Sequence, residues 1–119
     1  MSHLLKVQQS RGVLLSTLDE IPRAPIQRCF GAVTGQGILG ANFVKDMMAR
    51  MHDTLGGAVG GYEKAMDAAM ARALSDMAES ARECGANAVV GIRMQTMIFG
   101  DKGMMMATCV GTAVDIETS

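Results

Sequence analysis

A long amphipathic helix is the feature that most limits what this chain can fold into. Between residues 62 and 84, apolar side chains recur at three- and four-residue steps, and the charged residues, including Arg72 and Asp76, fall on the solvated side. The apolar stripe consists of Met66, Ala69, Met70, Ala73, Leu74, Met77, Ala81 and Cys84. Gly85 follows, at a position where helices commonly end in a left-handed residue. At about 1.5 Å per residue the helix runs roughly 35 Å, so a sheet can lie along it.

Length and composition exclude several classes of protein. The chain has 119 residues, of which 49% are hydrophobic, and we predict one domain over residues 13–117 behind a mobile N-terminal arm, residues 1–12. A net charge of −1 with 3% aromatic residues argues against nucleic acid as a partner. The absence of a membrane-length apolar run or a signal peptide predicts no membrane partner and a cytoplasmic protein.

The cysteines point to a reducing compartment. Cys29, Cys84 and Cys109 are an odd number and have no C-x-x-C spacing, which argues against a disulfide framework or a zinc knuckle. We therefore interpret all three as small core residues.

The first part of the chain predicts two strands and a glycine-rich turn. Residues 13–18 and 26–34 are strand candidates that we expect to pair as a hairpin around the proline-containing loop 19–25. Residues 35–40, GQGILG, match the dinucleotide-binding pattern G-x-G-x-x-G. That reading also requires a parallel strand and an acidic residue about twenty positions on, whereas glycines and the long helix follow here. We predict instead a turn whose glycines let two backbones approach closely.

A shorter helix precedes the long one. Asn42 is a suitable N-cap, and the helical period divides the following residues into two faces. The predicted buried face comprises Val44, Met47, Met48, Met51 and Leu55, and the predicted solvated face comprises Lys45, Asp46, Arg50 and Asp53. His52 lies one turn beyond Met48, and a His and a thioether at that spacing could hold a soft metal, but two ligands do not make a site, so we interpret His52 as a surface residue.

After Gly85 the period changes to that of a β-strand. Val90, Ile92 and Met94 are predicted to face the helix, and Arg93 and Gln95 to face away. A hairpin loop at 99–103 leads into the last strand, residues 104–116, which is apolar on both faces. The set with Ala107, Cys109, Gly111 and Ala113 suits packing under the long helix. Because one helix layer covers one face, we expect other copies of the chain to cover the opposite face, making the protein a homo-oligomer.

These elements predict an α+β fold in the order β-β-α-α-β-β, with an antiparallel sheet packed on one long helix. Three blocks, residues 31–46, 56–92 and 104–116, resemble the YbjQ family, which is described as "putative heavy-metal-binding". The specific segments are GAVTGQGILGAN, GGYEKA, GANAVVGI and GTAV, in unbroken order. The resemblance implies a subunit related to that of dodecin, which assembles into a ring-shaped homopentamer, and it implies no established catalytic activity, so we predict that the protein is not an enzyme.

The resemblance also raises the question of a metal. Family members typically carry acidic residues on the outward face of the third strand, where this chain has Arg93, Gln95 and Met97. The chain has 12 methionines, and thioethers and thiolates bind soft ions such as copper(I), although methionine is also a common filler of irregular cores. Our candidate metal ligands are Cys29, Met97, Met104 and Met106. We predict a binding protein that holds a heavy metal or small ligand at subunit interfaces; the alternative is a structural ring without a ligand.

Overall fold

The structure is a computed structural model that describes residues 12–55, 58–99 and 103–118, without the side chains of residues 50–61. Its elements are β1 (Leu14–Leu15), β2 (Ile26–Leu39), α1 (Ala41–Leu55), α2 (Ala58–Glu83), β3 (Ala88–Phe99) and β4 (Met104–Ile116). This order confirms the predicted α+β class. Within the described residues, neither helix combines the length and apolarity that crossing a membrane requires. The predicted N-terminal arm lies outside the described residues apart from Gly12.

The four strands form one mixed sheet in the order β1-β3-β4-β2. β4 is antiparallel to both of its neighbours, and β1 is parallel to β3, with Leu14 opposite Ala88. The predicted hairpin between the first two strands is therefore wrong. The proline-containing loop is long enough to carry the chain across the sheet, and β1 instead joins β3 through the bonds from Leu14 N to Asn87 O, 3.0 Å, and from Ser16 N to Val89 O, 2.9 Å.

Helix α2 lies directly on β2 because two strand residues have no side chain. A Cβ atom on Gly35 would approach the carbonyl oxygen of Ala73 and lie 2.7 Å from the Met77 nitrogen, and one on Gly37 would meet the backbone at Ala69 and Ala73. The glycine-rich segment is thus the second half of a strand rather than the predicted turn. Its glycines do permit close approach of two backbones, as predicted, and here both backbones belong to one chain.

The ends of the helices agree only in part with the sequence prediction. Gly85 has φ +92°, and the nitrogen of Ala86 bonds to the oxygen of Ala81 at 3.0 Å, which confirms the left-handed helix end. Asn42 is not the N-cap, because α1 begins at Ala41 and the Val44 nitrogen already bonds to Gly40 O.

Burial tests the predicted stripes. Ala69, Ala73, Leu74, Met77 and Ala81 of α2 are buried. In α1, Val44 is buried, Met47 and Met48 are half-buried, and Lys45 and Asp46 are exposed, as predicted. The side chains of Arg50, Met51, His52, Asp53 and Leu55 lie outside the described residues.

Only one of the three cysteines is a core residue. Cys109 is buried on the face of the sheet that α2 covers, here called the helix face, whereas Cys29 and Cys84 are exposed. The prediction for Cys84 is wrong because α2 ends at Glu83, so Cys84 leaves the buried stripe. Cys29 is exposed on β2, the edge strand of the sheet.

A β-bulge changes which residues of β3 share a face. The register with β4 shifts between Val90 and Arg93, and Gly91 adopts φ +63°. Ile92 belongs to the core under α2 and Met94 packs against that core, as predicted, but Val90 belongs to a separate cluster on the opposite face, here called the outer face. A strict two-residue period could not reveal this shift.

The chain covers one end of its own outer face. Leu14, Ile21 and Ala24 pack against a small apolar cluster composed of Ala88, Val90, Val114 and Ile116. The segment before β2 therefore folds back over this end, and the expectation that other copies of the chain cover the outer face concerns the rest of it. The other end, near Met97 and Met106, exposes its apolar side chains.

Candidate binding surface on the outer face

The open end of the outer face carries an apolar surface rich in thioethers. The strand register places Met106 between Ile38 on β2 and Met97 on β3, and it pairs Met104 with Phe99 at the next position. Ile38, Met97 and Phe99 are 48%, 44% and 43% exposed, respectively. We call these five residues, Ile38, Met97, Phe99, Met104 and Met106, the methionine patch.

Three of the four predicted metal ligands are neighbours in this patch. Met97 and Met106 are cross-strand partners, and Met104 lies on the same face one alternation along β4. Cys29 is elsewhere: β2 pairs it with Val114, eight residues from Met106 along β4, which is roughly 26 Å of strand. The described residues contain no group of three His, Cys, Asp or Glu side chains suited to a metal.

A polar band lies beside the methionine patch. The next two cross-strand rows are Gln36 with Thr108 and Gln95, and Thr34 with Val110 and Arg93. They line a depression of about 380 Å³, in which Arg93 is the only charged residue among the described lining residues. The depression therefore combines neutral hydrogen-bonding groups with one positive charge.

Cys109 lies close to this depression, but its thiol is not activated as a nucleophile or as a metal ligand. Its Sγ lies 3.4 Å from the carbonyl oxygen of Ala73 and 3.7 Å from that of Gly35, beneath α2. Burial raises the pKa of Cys109 to about 11, and the charge of Asp76 also raises it, against a lowering by the backbone hydrogen bond at Gly35. The thiol is therefore protonated at neutral pH, the state in which cysteine is a poor nucleophile and a poor metal ligand.

The exposed edge of β2 is partly occupied by the chain's own helix. The amide of Gln36 donates to Asp76 Oδ2 at 3.0 Å, and Arg72 Nη1 donates to the carbonyl of Ile38 at 3.2 Å. The Arg72 guanidinium also lies 5.3 Å from the centre of the Phe43 ring. The sequence placed Arg72 and Asp76 on the solvated side of the helix, where they do remain exposed, but it did not reveal that they bond to the strand backbone.

The polar band is the part of this surface that sequence reasoning missed. The sequence patterns do not single out Thr34, Gln36 or Thr108, and they assign Gln36 to a turn over residues 35–40, so the cross-strand grouping of these residues does not emerge. The signal was present in residues 33–38, where Val33, Gly35 and Gly37 alternate with polar or larger residues. Glycine in place of an apolar residue concealed the two-residue period.

Comparison with known proteins identifies the family of the chain. A family model described as "Putative heavy-metal-binding", that of the YbjQ family, matches residues 13–117. The UPF0145 protein of Carboxydothermus hydrogenoformans is 38% identical over 105 residues, which cover 88% of this chain and 97% of that protein. A solved structure of a protein with unknown function from Pediococcus pentosaceus gives a TM-score of 0.43 at 14% identity, covering 90% of this chain and 100% of that one.

Proposed function

The chain belongs to the YbjQ family, and from this premise we propose that it is a homo-oligomeric, non-enzymatic protein of the cytoplasm that holds a soft metal ion at junctions between its subunits. The observation that carries the proposal is the grouping of Met97, Met104 and Met106 on an exposed face. The assembly we propose is the pentamer implied by the family resemblance, and copper(I) is the ion.

Two features of the described residues support assembly. The outer face exposes large apolar side chains at Ile38, Met97 and Phe99, each between 43% and 48% accessible, and contiguous apolar surface of this kind is typical of an interface. The sheet also leaves strand edges open. β1 has two residues, so β3 has no neighbouring strand on that side beyond Ile92, and β2 forms the opposite edge.

The chemistry of the methionine patch supports a soft ion. Thioether sulfur is a soft, neutral ligand that suits copper(I), whereas calcium and magnesium require clusters of oxygen ligands. The patch contains thioethers and hydrocarbon, and no carboxylate belongs to it. A ring would present these sulfurs several times over, so an ion at a subunit junction could be bound by more than one chain.

The metal proposal is tested by thermal unfolding under anaerobic reducing conditions. A ligand at a hundredfold excess over its dissociation constant stabilises the folded state by about 2.7 kcal/mol, which raises the midpoint of a domain this size by about 10 °C. We expect this increase with copper(I) and silver(I) and none with calcium. Replacing Met97, Met104 and Met106 together by leucine should abolish it, since leucine keeps the apolar volume and removes the sulfur.

The matched control for that triple variant is Met70→Leu on α2, which changes a half-buried methionine that packs against the helix-face core. It should leave the copper(I) effect intact. An unchanged midpoint with copper(I), silver(I) and zinc, together with no affinity in competition titrations, would refute the metal proposal.

Assembly is tested separately by light scattering on a size-exclusion column at micromolar protein. We expect a mass of about five subunits for the wild type, and a smaller species for Ile38→Lys because a charge within the methionine patch opposes its burial. Lys45→Glu on the solvated face of α1 is the control and should not change the mass. A wild-type monomer at these concentrations would overturn the proposed assembly.

A structural ring without a ligand is the second candidate function. The specific observation that favours it is the apolar character of Ile38, Phe99 and Val110, which association alone would bury without any use of sulfur chemistry. A stable oligomer that binds none of copper(I), silver(I) and zinc would support this candidate over the first.

A further inference from the structure

We propose that the depression beside the methionine patch binds the carboxylate of a small amphipathic anion, whose apolar part lies along the patch. This inference goes beyond the proposed function, because it rests on Arg93 and not on metal binding or assembly.

The guanidinium of Arg93 is held in place by one nitrogen. Nη1 donates to the carbonyl oxygens of Thr17, at 3.2 Å, and Ile92, at 3.0 Å, which engages both of its N–H groups. The Nε and Nη2 groups make no hydrogen bond or ion pair with any residue in the described part of the chain. These two nitrogens form one edge of the planar guanidinium, and that edge matches the two oxygens of a carboxylate. This edge of Arg93 is thus available to a bidentate ligand.

The charge of the depression favours an anion. Its other polar side chains, from Thr34, Gln36, Gln95 and Thr108, are neutral and offer both donors and acceptors. None of the described lining residues is acidic, so nothing in the depression neutralises Arg93 or attracts a hard cation. A carboxylate would receive two charge-assisted hydrogen bonds there, which are stronger than those between neutral groups.

The surface beside the depression determines the length and polarity of the rest of the ligand. Met97 lies four residues along β3 from Arg93 on the same face, about 13 Å away, with Ile38 and Met106 in its cross-strand row. Methionine side chains are flexible and adapt to apolar bodies of different shape. The surface therefore fits a ligand with a carboxylate at one end and a hydrocarbon or aromatic body about 13 Å long.

The test is isothermal titration of the full-length protein with three probes. Decanoate carries both features, acetate lacks the apolar body, and decylammonium carries the body with the opposite charge. We expect decanoate to bind at least tenfold more tightly than either of the others. Arg93→Gln should weaken decanoate binding about tenfold or more, because it removes both charge-assisted hydrogen bonds. Arg93→Lys should have an affinity between those of the wild type and Arg93→Gln, because lysine keeps the charge but cannot make the bidentate contact. Arg82→Gln, at the exposed end of α2, is the control.

Two further measurements test the contact with Arg93 directly and distinguish it from assembly. The Nε–H resonance of Arg93 in the wild type should shift on addition of decanoate, which tests the contact even where Arg93→Gln disturbs the anchor at Thr17. Light scattering of the same samples tests assembly separately from the anion site. A monomer that binds decanoate through Arg93 would contradict the proposed oligomer and leave the anion site supported. Equal affinity for decylammonium, or an unmoved Nε–H resonance at saturating decanoate, would overturn the anion site.

Discussion

The contact between α2 and β2 makes Gly35→Ala the most informative substitution in this fold. A Cβ on residue 35 would lie 2.7 Å from the Met77 nitrogen and 2.9 Å from its Cβ, and closer still to the oxygen of Ala73. Two of these three neighbours are helix backbone atoms, so no side-chain rotation relieves the overlap. The helix must therefore move away from the strand by roughly an ångström to reach ordinary contact distances.

That movement has a calculable cost. A gap of 0.5–1 Å removes about a quarter to a half of the dispersion energy between the separated atoms, and overpacked cores commonly lose about 1–3 kcal/mol. Ala69, Ala73 and Met77 are fully buried at this contact, so we expect the upper end, about 3 kcal/mol. For a domain of this size the unfolding midpoint should fall by about 10–15 °C.

Gly40→Ala is the matched control for this prediction. A Cβ there meets nothing within 4 Å, and Gly40 does not have a positive φ. Alanine stabilises the protein by reducing the conformational entropy of the unfolded chain, but it destabilises the helix because it is a poorer N-cap residue than glycine. These effects oppose each other, so we expect the free energy of unfolding to change by less than about 1 kcal/mol. Both variants are measured by urea and thermal unfolding of the same preparation. A loss below about 1 kcal/mol for Gly35→Ala, or an equal loss for both variants, would refute the account of the helix–strand contact.

Four other predictions follow, of which two concern the thiol of Cys109, one the sheet edge and one a turn. Raising the pH from 9 to 11 should destabilise the wild type relative to Cys109→Ala by about 2 kcal/mol, because the folded state raises the pKa of this thiol and so opposes its ionisation; equal pH profiles in urea unfolding would contradict this. The thiol of Cys109 should also react slowly with a thiol reagent until urea unfolds the protein, and rapid labelling of the native state would show that it is accessible. Replacing Arg72 and Asp76 together by alanine frees the backbone of Gln36 and Ile38 and should increase aggregation through the β2 edge, whereas thioflavin fluorescence unchanged from wild type would show that the edge needs no protection. Arg23 has φ +65°, so Arg23→Asn should raise the unfolding free energy by about 0.5–1 kcal/mol, and a decrease would show that the arginine side chain is itself stabilising.

The sequence predicts best what depends on local period. The stripe of α2 and the alternation of β4 place Ala73, Met77 and Cys109 in the core correctly, because a helix period and a strand period each leave a direct trace in apolar spacing. Gly85 was predicted as a helix end for the same kind of reason, since a left-handed residue is a local requirement. These agreements concern residues whose environment follows from their near neighbours.

The sequence does not reveal the contacts between residues that are far apart along the chain. The bulge at Gly91 reverses the face of Val90 without any change in the pattern of residue types, and the parallel partner of β1 lies more than seventy residues along the chain. The grouping of Met97, Met104 and Met106 on one face could be predicted from parity, but their separation from Cys29 depends on the register of β2 against β4. The anchored Arg93 could not be predicted, because its partner Thr17 belongs to residues 13–18, a segment expected to pair with residues 26–34 rather than to lie beside β3.

The position of β4 in the sheet has a consequence for how this protein is made. β4 is the last of the four described strands and lies between β3 and β2, so Gly35 on β2 pairs with a residue 74 positions later in the chain, Cys109. During synthesis, β2 and α2 are made before the strand that joins β2 to β3. The hairpin of β3 and β4 forms from adjacent segments, but β2 joins through contacts of high sequence separation, which slow folding. A chain that stops before residue 104 lacks the neighbouring strand of β2, so the backbone of β2 is left unpaired in the state that a chaperone would encounter.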